Sequence, residues 1–106
     1  MLTVDQLNEI AARLNDGVAP LPATSRKWPL PLFRYFIMEY VHDRGLSTVQ
    51  VGRMVGRDHC TVIDGLSVLR DIKTVPGDTL EKQRHRQFLV AVALKENDVV
   101  SGHQQV

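Results

Sequence analysis

Hydrophobic side chains recur at helical spacing in five stretches of the chain, and no stretch shows the strict alternation of a half-buried strand. The first stretch has apolar residues on one helical face: Val4, Leu7, Ile10, Ala11 and Leu14. Thr3 followed by Gln6 has the pattern of a capping box, in which each side chain bonds the other residue's backbone N–H. We therefore predict a helix from Thr3 to about Asn15, followed by a loop rich in Pro, Gly and small residues.

The second stretch begins at Pro31, a residue that the first turn of a helix tolerates well. Its apolar stripe is Phe33, Phe36, Ile37, Tyr40 and Val41, widened by Leu32, Tyr35 and Met38. Gly45 suits a left-handed cap and should end this helix. The width of the stripe predicts that this helix is the centre of the core.

Three further helices are predicted. Ser47, with a glutamine three residues later, begins a short helix that ends at Gly56. Asp58 is a favoured N-cap for the next helix, which has an apolar inward face: Val62, Gly65, Leu66, Leu69 and Ile72. Asp78 with Glu81 predicts the start of the last helix, in which four residues are expected to pack inward: Leu80, Phe88, Leu89 and Val92.

These patterns predict an all-α protein, a compact bundle of about five helices that contains a helix-turn-helix. The 106 residues are enough for one such core. We expect residues 1–27 to form an N-terminal helix and loop that pack on or flank the rest of the fold. Residues 28–97 are the predicted helix-turn-helix domain, and residues 98–106 are a predicted flexible tail.

Composition narrows the possible function classes. The hydrophobic fraction of 43% is ordinary for a globular domain, and no apolar run approaches the roughly 18 residues of a membrane span. The N-terminus lacks the basic start and apolar stretch of a signal peptide, so we expect a cytoplasmic protein. Cys60 is the only cysteine and the four histidines lie far apart, so we expect no disulfide, metal site or cofactor.

The net charge of +1 says little about partners, but the charges are unevenly distributed. Residues 44–73 contain five basic and three acidic side chains, whereas residues 1–16 contain one basic and three acidic ones. The pair Arg26–Lys27 adds basic charge, and Arg84 with Arg86 forms either a phosphate clamp or a solvated face. A phosphate-binding surface is therefore expected from the middle of the chain and these clusters.

The order of short helix, glycine turn and second helix in residues 47–73 is that of a helix-turn-helix. The second helix of this motif enters the DNA major groove with its N-terminal end first. Here that end begins with five polar residues: Arg57, Asp58, His59, Cys60 and Thr61. Arginine pairs with guanine or phosphate, aspartate accepts from cytosine, and imidazole and hydroxyl groups bond base edges. Free backbone N–H groups at a helix start also bind phosphate.

Residues 57–63, Arg-Asp-His-Cys-Thr-Val-Ile, resemble a signature of the C-terminal DNA-binding domain of the bacterial replication initiator DnaA. The family's signature is Gly-Gly-Arg-Asp-His-Thr-Thr-Val. Residues 47–52, Ser-Thr-Val-Gln-Val-Gly, are similar to that family's Ser-Leu-Pro-Glu-Ile-Gly. The resemblance is strong over residues 47–63. It implies sequence-specific binding of double-stranded DNA in replication initiation or its regulation, and association with the nucleoid.

The resemblance also implies roles for individual residues. Four of them would contact DNA: Asp58, His59 and Thr61 in the major groove, and Arg57 at a phosphate or base edge. The family inserts a basic residue into the minor groove, for which the candidates here are Arg34 and the pair Arg26–Lys27. Three neighbours complete the predicted DNA-binding set: Ser47, Arg53 and Cys60.

The chain departs from the family pattern at several points. Gly56 stands where the family has two turn glycines, which predicts a displaced second helix. Cys60 replaces the first of two threonines, which predicts a different target, and Ser67 and Val68 replace basic residues, which predicts weaker phosphate binding. The chain contains no phosphate-binding loop of an ATPase. The expectation is therefore a free-standing DNA reader or an excised fragment of a longer initiator.

Two other interpretations remain open. A protein-interaction module or transcriptional regulator that keeps the fold but binds DNA weakly or not at all fits the near-neutral charge. Cys60 beside His59 suggests a thiol nucleophile, but adjacent helical residues do not face each other and no third residue orients the histidine. We therefore do not expect an enzyme. Trp28 is the aromatic residue expected to be most exposed.

Overall fold

The computed structural model describes residues 1–22 and 24–104, which form a bundle of five α-helices without a strand. The helices are α1 (Val4–Leu14), α2 (Leu30–His42), α3 (Thr48–Val55), α4 (His59–Thr74) and α5 (Leu80–Gln104). The predicted all-α bundle is thus confirmed. In the described part of the chain, no helix is long and apolar enough to cross a membrane.

Helix α2 is the centre of the core, as its wide apolar stripe predicted. It packs against all four other helices. The rings of Phe33 and Phe36 meet edge to face, with centroids 5.4 Å apart, and Phe88 from α5 lies 5.5 Å from Phe36. All three rings are buried. Burial of each such side chain contributes about 2 kcal/mol, so this aromatic cluster is a main source of stability.

Helix α1 packs on α2 and α5, so the N-terminal segment is part of the bundle. Its inward residues Leu7 and Ala11 are fully buried. Asn8 donates to the carbonyl of Leu21 at 2.8 Å and accepts from its N–H at 3.0 Å, which fastens the following loop to α1. Residues 1–27 were expected either to pack on the rest of the fold or to flank it, and the described residues among them pack on it.

The predicted inward face of α5 is half wrong. Phe88 and Val92 are buried, whereas Leu80 and Leu89 are 54% and 45% exposed. The error arises because α5 contacts the bundle along a narrow stripe of side chains. Glu96 also contacts the bundle, since its carboxylate accepts a hydrogen bond of 2.9 Å from the hydroxyl of Tyr40 on α2. Apolar residues outside that stripe face solvent, and the pattern alone does not distinguish them.

The predicted start of α5 also needs correction. Thr79 and not Asp78 accepts from the backbone N–H of Lys82, at 3.2 Å. The carboxylate of Asp78 instead forms an ion pair with Arg86 at 2.7 Å, about two turns into the helix. At the other end the helical backbone continues to Gln104, and residues 105 and 106 of the predicted flexible tail lie outside the described residues. No glycine or proline interrupts residues 80–101, which explains the longer helix.

A polar cluster ties the C-terminal end of α4 to α2 and α5. The carboxylate of Glu39 accepts from Nε2 of His85 at 2.9 Å and pairs with the ammonium group of Lys73. Burial raises the pKa of Glu39, but the hydrogen bonds from His85 and Lys73 outweigh it and lower the pKa below its usual value. Glu39 is therefore a carboxylate, and Nε2 of His85 bears the shared hydrogen.

Candidate nucleic-acid interface

The connection between α3 and α4 is only three residues long, Gly56 to Asp58, and two glycines shape it. Gly56 has φ of 73°, in the left-handed region, and ends α3 as predicted. Its backbone N–H and that of Arg57 both donate to the carbonyl of Gly52. A Cβ on Gly52 would lie 2.5 Å from the carbonyl oxygen of Arg57. The turn can therefore pack against α3 only because residue 52 has no side chain.

The start of α4 is fixed by its N-cap. Asp58 has extended backbone geometry, and its Oδ1 accepts from the N–H of Thr61 at 2.7 Å, as the sequence predicted. This backbone hydrogen bond is the main reason why the pKa of Asp58 is below its usual value. The carboxylate is thus engaged in capping. The side chains of His59 and Cys60, the first two residues of α4, are exposed, with Sγ of Cys60 3.8 Å from Nε2 of His59.

A groove of about 470 Å³ runs beside this helix start, between the loop before α2, the first turns of α2 and the beginning of α4. It is lined by Thr24, Arg26, Trp28, Pro31, Arg34, Tyr35, Met38, Arg57 and Thr61. Three of these residues are arginines and none is acidic. The structure therefore brings together four predicted site residues that are up to 35 positions apart in the sequence, and it gives their groove a positive charge.

The position of Arg34 corrects one expectation. Its side chain is only 7% exposed, and its guanidinium donates to the carbonyls of Pro20, at 3.2 Å, and Ser25. Burial, together with the nearby charge of Arg57, lowers the pKa of Arg34, which still leaves an arginine protonated at neutral pH. A side chain held by two backbone carbonyls cannot reach into a minor groove. Arg34 instead holds the loop against α2, and Arg26–Lys27, exposed on that loop, remains the predicted minor-groove pair.

Six predicted site residues do not line the groove: Asp58, His59 and Cys60 at the exposed helix start, and Ser47, Arg53 and Lys27 elsewhere. Ser47 accepts from the N–H of Gln50 at 3.2 Å and so caps α3, and it is exposed. Arg53 is exposed on α3, and Lys27 is exposed beside Arg26. The groove lining does not include Ser47, Arg53 or Lys27. A DNA contact made by any of these three residues would therefore extend the DNA-binding surface beyond the groove.

Five groove residues were not in the predicted DNA-binding set: Thr24, Trp28, Pro31, Tyr35 and Met38. Trp28 is 46% exposed, in agreement with its expected exposure, but its position beside Arg57 and Thr61 was not foreseen. Tyr35 was assigned to the core and is half-buried at the groove wall, where its ring covers Gly65. The signal for Trp28 was its place directly after two basic residues in a loop. No local signal distinguishes Tyr35 from its buried neighbours.

The cluster at residues 84–86 is divided between different partners. His85 is bonded to Glu39, and Arg86 is paired with Asp78, so these two side chains hold α5 in place. Both are on the far helix from the groove and neither lines it. Among the two alternatives for Arg84 and Arg86, an ordinary solvated face fits the observed pairing of Arg86 better than a phosphate clamp.

The exposed helix start offers hydrogen-bonding groups and positive charge. In the described residues, no three His, Cys, Asp or Glu side chains lie close enough together to bind a metal. Comparison of the chain with protein-family models, curated proteins and solved structures found no match. Any functional assignment therefore depends on the residues themselves and on the signature in residues 47–63.

Proposed function

We propose that this protein binds double-stranded DNA sequence-specifically, by placing the start of α4 in the major groove. The observation on which the proposal depends is the geometry of that helix start. Asp58 fixes the first turn, and it leaves His59 and Cys60 exposed at the end of the helix. A single helix end fits the width of the major groove, and its imidazole and thiol side chains can then meet base edges.

The charge around the helix start favours a polyanion as partner. Arg57 and Arg26 line the groove next to Thr61, without an acidic residue among the lining side chains. Phosphate contacts of this kind position a protein on duplex DNA, whereas base contacts specify the sequence. In this proposal the arginines position α4, while His59 and Thr61 read bases. The helix-turn-helix assignment of α3 and α4 is part of the same proposal.

The biological setting follows from the resemblance to the initiator's DNA-binding domain. We propose a role in replication initiation or its regulation, at the nucleoid, in which the protein recognises DNA and catalyses no reaction. The replacement of a threonine by Cys60 in the signature implies a target that differs from the family's usual one.

The proposal is tested by selecting bound duplexes from a random pool at two salt concentrations. We expect one enriched motif, and an affinity for it that falls steeply with salt because phosphate contacts release counterions. His59→Ala should lose about tenfold in affinity for the motif while its weak binding to scrambled duplex persists. Arg13→Ala, which removes an exposed charge on α1, is the matched control and should retain the preference. Equal competition by scrambled duplex would contradict sequence-specific binding.

A second candidate function is protein interaction, and an apolar groove between α1 and α5 favours it. Leu14, Val90 and Leu94 line this groove, and Val90 and Leu94 are 59% and 65% exposed. Exposed apolar surface of this kind is typical of protein contacts. Failure of every duplex to bind at low salt, with retention of a protein partner that Leu94→Lys abolishes, would favour this function over DNA binding.

A further inference from the structure

Trp28 has an unusual environment for an aromatic side chain in this protein. The chain contains six aromatic residues, of which Phe33, Phe36, Phe88 and Tyr40 are buried and Tyr35 is half-buried. Only Trp28 of these six is exposed, at 46%. Its indole therefore contributes little to the core, and it presents an aromatic surface to whatever occupies the groove.

The neighbours of Trp28 in the groove are chemically specific. Arg26 lies two residues before it on the same loop, and Arg57 and Thr61, at the beginning of α4, line the same groove. Guanidinium groups bind phosphate, hydroxyl groups add a hydrogen bond, and an aromatic face packs on a sugar or base. Phosphate, sugar and base are joined only in a nucleotide, so the mixture of charged and aromatic residues matches one nucleotide unit.

The loop containing Trp28 is held in place by the buried arginine of α2. Arg34 donates to the carbonyls of Pro20 and Ser25, on either side of the segment that leads to Trp28. The N–H of Lys27 also donates to the hydroxyl of Ser25 at 3.1 Å. These bonds hold the backbone at Pro20, Ser25 and Lys27 without a ligand, so less ordering of the chain before Trp28 is needed when one binds.

We infer that Trp28 is a DNA-contacting residue whose indole packs on the deoxyribose of one strand, next to the base pairs that α4 reads. This inference rests on the proposed function and adds a specific apolar contact to it. Bases of an intact duplex are stacked and paired, so the sugar is the apolar surface that a groove beside the major-groove helix can receive. The phosphate attached to that sugar lies between Arg26 and Arg57.

The chain's single tryptophan makes the contact directly observable. The selected duplex is titrated into the protein while tryptophan emission is recorded, and binding is measured in parallel by gel mobility shift. We expect the emission to shift to shorter wavelength or be quenched, with the same midpoint as the mobility shift, because the indole leaves water. Trp28→Ala should weaken binding about tenfold, and Trp28→Phe should recover most of the loss.

Leu89→Ala is the matched control, since it removes a comparably exposed apolar side chain on α5, 45% against 46%, and should leave DNA affinity unchanged. Circular dichroism of each variant checks that the helices are intact. Unchanged emission, together with equal affinity of the wild type and Trp28→Ala, would overturn the role of Trp28 and leave DNA binding in place. If the wild type bound no duplex, both the proposed function and this contact would be overturned.

Discussion

The two ends of α4 are held in different ways. At its N-terminal end the restraints are local: Asp58 caps Thr61 three residues away, and Gly52 and Gly56 shape the preceding turn. At its C-terminal end the restraint is long-range, because Lys73 pairs with Glu39 of α2, which also accepts from His85 of α5. One end of the helix is thus bound into the bundle, and the other is exposed.

This difference suits a helix that must present its start to a large ligand. Under the proposed function α4 is a recognition helix, which needs a fixed direction relative to the fold, and the C-terminal cluster would provide it without occupying the exposed end. The local cap then sets the positions of His59 and Thr61 at the start. Changes at the two ends should accordingly have different consequences, with loss of stability at the C-terminal end and loss of recognition at the N-terminal end.

The largest effect on stability is expected from Glu39→Ala. The change leaves the half-buried His85 without its acceptor and removes the partner of the exposed Lys73, so unfolding free energy should fall by about 2–3 kcal/mol. Urea denaturation monitored by circular dichroism measures this loss of unfolding free energy. Glu9→Ala, which removes an exposed pair with Arg13 on α1, is the control and should cost about 0.3 kcal/mol. Equal losses for the two variants would show that the cluster does not anchor α4.

A smaller loss of stability, with a larger effect on recognition, is expected from Gly52→Ala. The added Cβ meets the backbone carbonyl of Arg57, which must move, so unfolding free energy should fall by about 2 kcal/mol. The displaced turn should also weaken binding to the selected duplex.

Gly77→Ala separates these two effects. Gly77 has φ of 89° and open space around its Cβ position, so alanine should cost only about 1 kcal/mol of backbone strain. Because Gly77 lies between α4 and α5, duplex affinity of the folded protein should not change. Comparable losses of DNA affinity in Gly52→Ala and Gly77→Ala would contradict the assignment of the α3–α4 turn to the interface.

The same contrast between local and distant contacts explains what the sequence could predict. The capping boxes at Thr3 and Ser47, the cap at Asp58 and the glycine end of α3 depend on residues within four positions, and all are observed. The apolar stripe of α2 likewise predicted the centre of the core, because 3.6-residue periodicity determines which side chains share a face.

The contacts that were missed depend on how distant elements meet. Arg34 was assigned to a minor groove, yet its partners at Pro20 and Ser25 lie 14 and 9 positions away, and no local pattern identifies a buried arginine. Asp78 has a residue type favoured at N-caps, but an alternative partner, Arg86, was available about two helical turns later. Assembly of Trp28 and Thr61 in one groove requires the packing of α2 against α4, which periodicity does not specify.

The smallest expected effect distinguishes two exposed aspartates, Asp58 and Asp78. Both carboxyl groups have a lowered pKa, Asp58 mainly through the backbone N–H of Thr61 and Asp78 mainly through the guanidinium of Arg86. A carboxylate with a lowered pKa stabilises the fold above the unfolded value of about 4, and that contribution disappears as pH falls through the folded value. The melting-temperature difference between the wild type and either Asp→Asn variant should therefore shrink below pH 4.

High salt should affect the stabilisation by Asp78 more than the stabilisation by Asp58. An exposed ion pair is screened at high ionic strength, whereas a short hydrogen bond from a backbone N–H is much less affected. In 1 M NaCl, where the Debye length is about 3 Å, the pH-dependent difference should vanish for Asp78→Asn and persist for Asp58→Asn. Thermal melts between pH 2 and 7 at low and high salt measure this melting-temperature difference. Because each variant differs from the wild type at one carboxyl group and is compared with it at the same pH and salt, the difference isolates one aspartate. Loss of the Asp58 difference in salt would mean that its charge, and not its cap, stabilises the exposed end of α4.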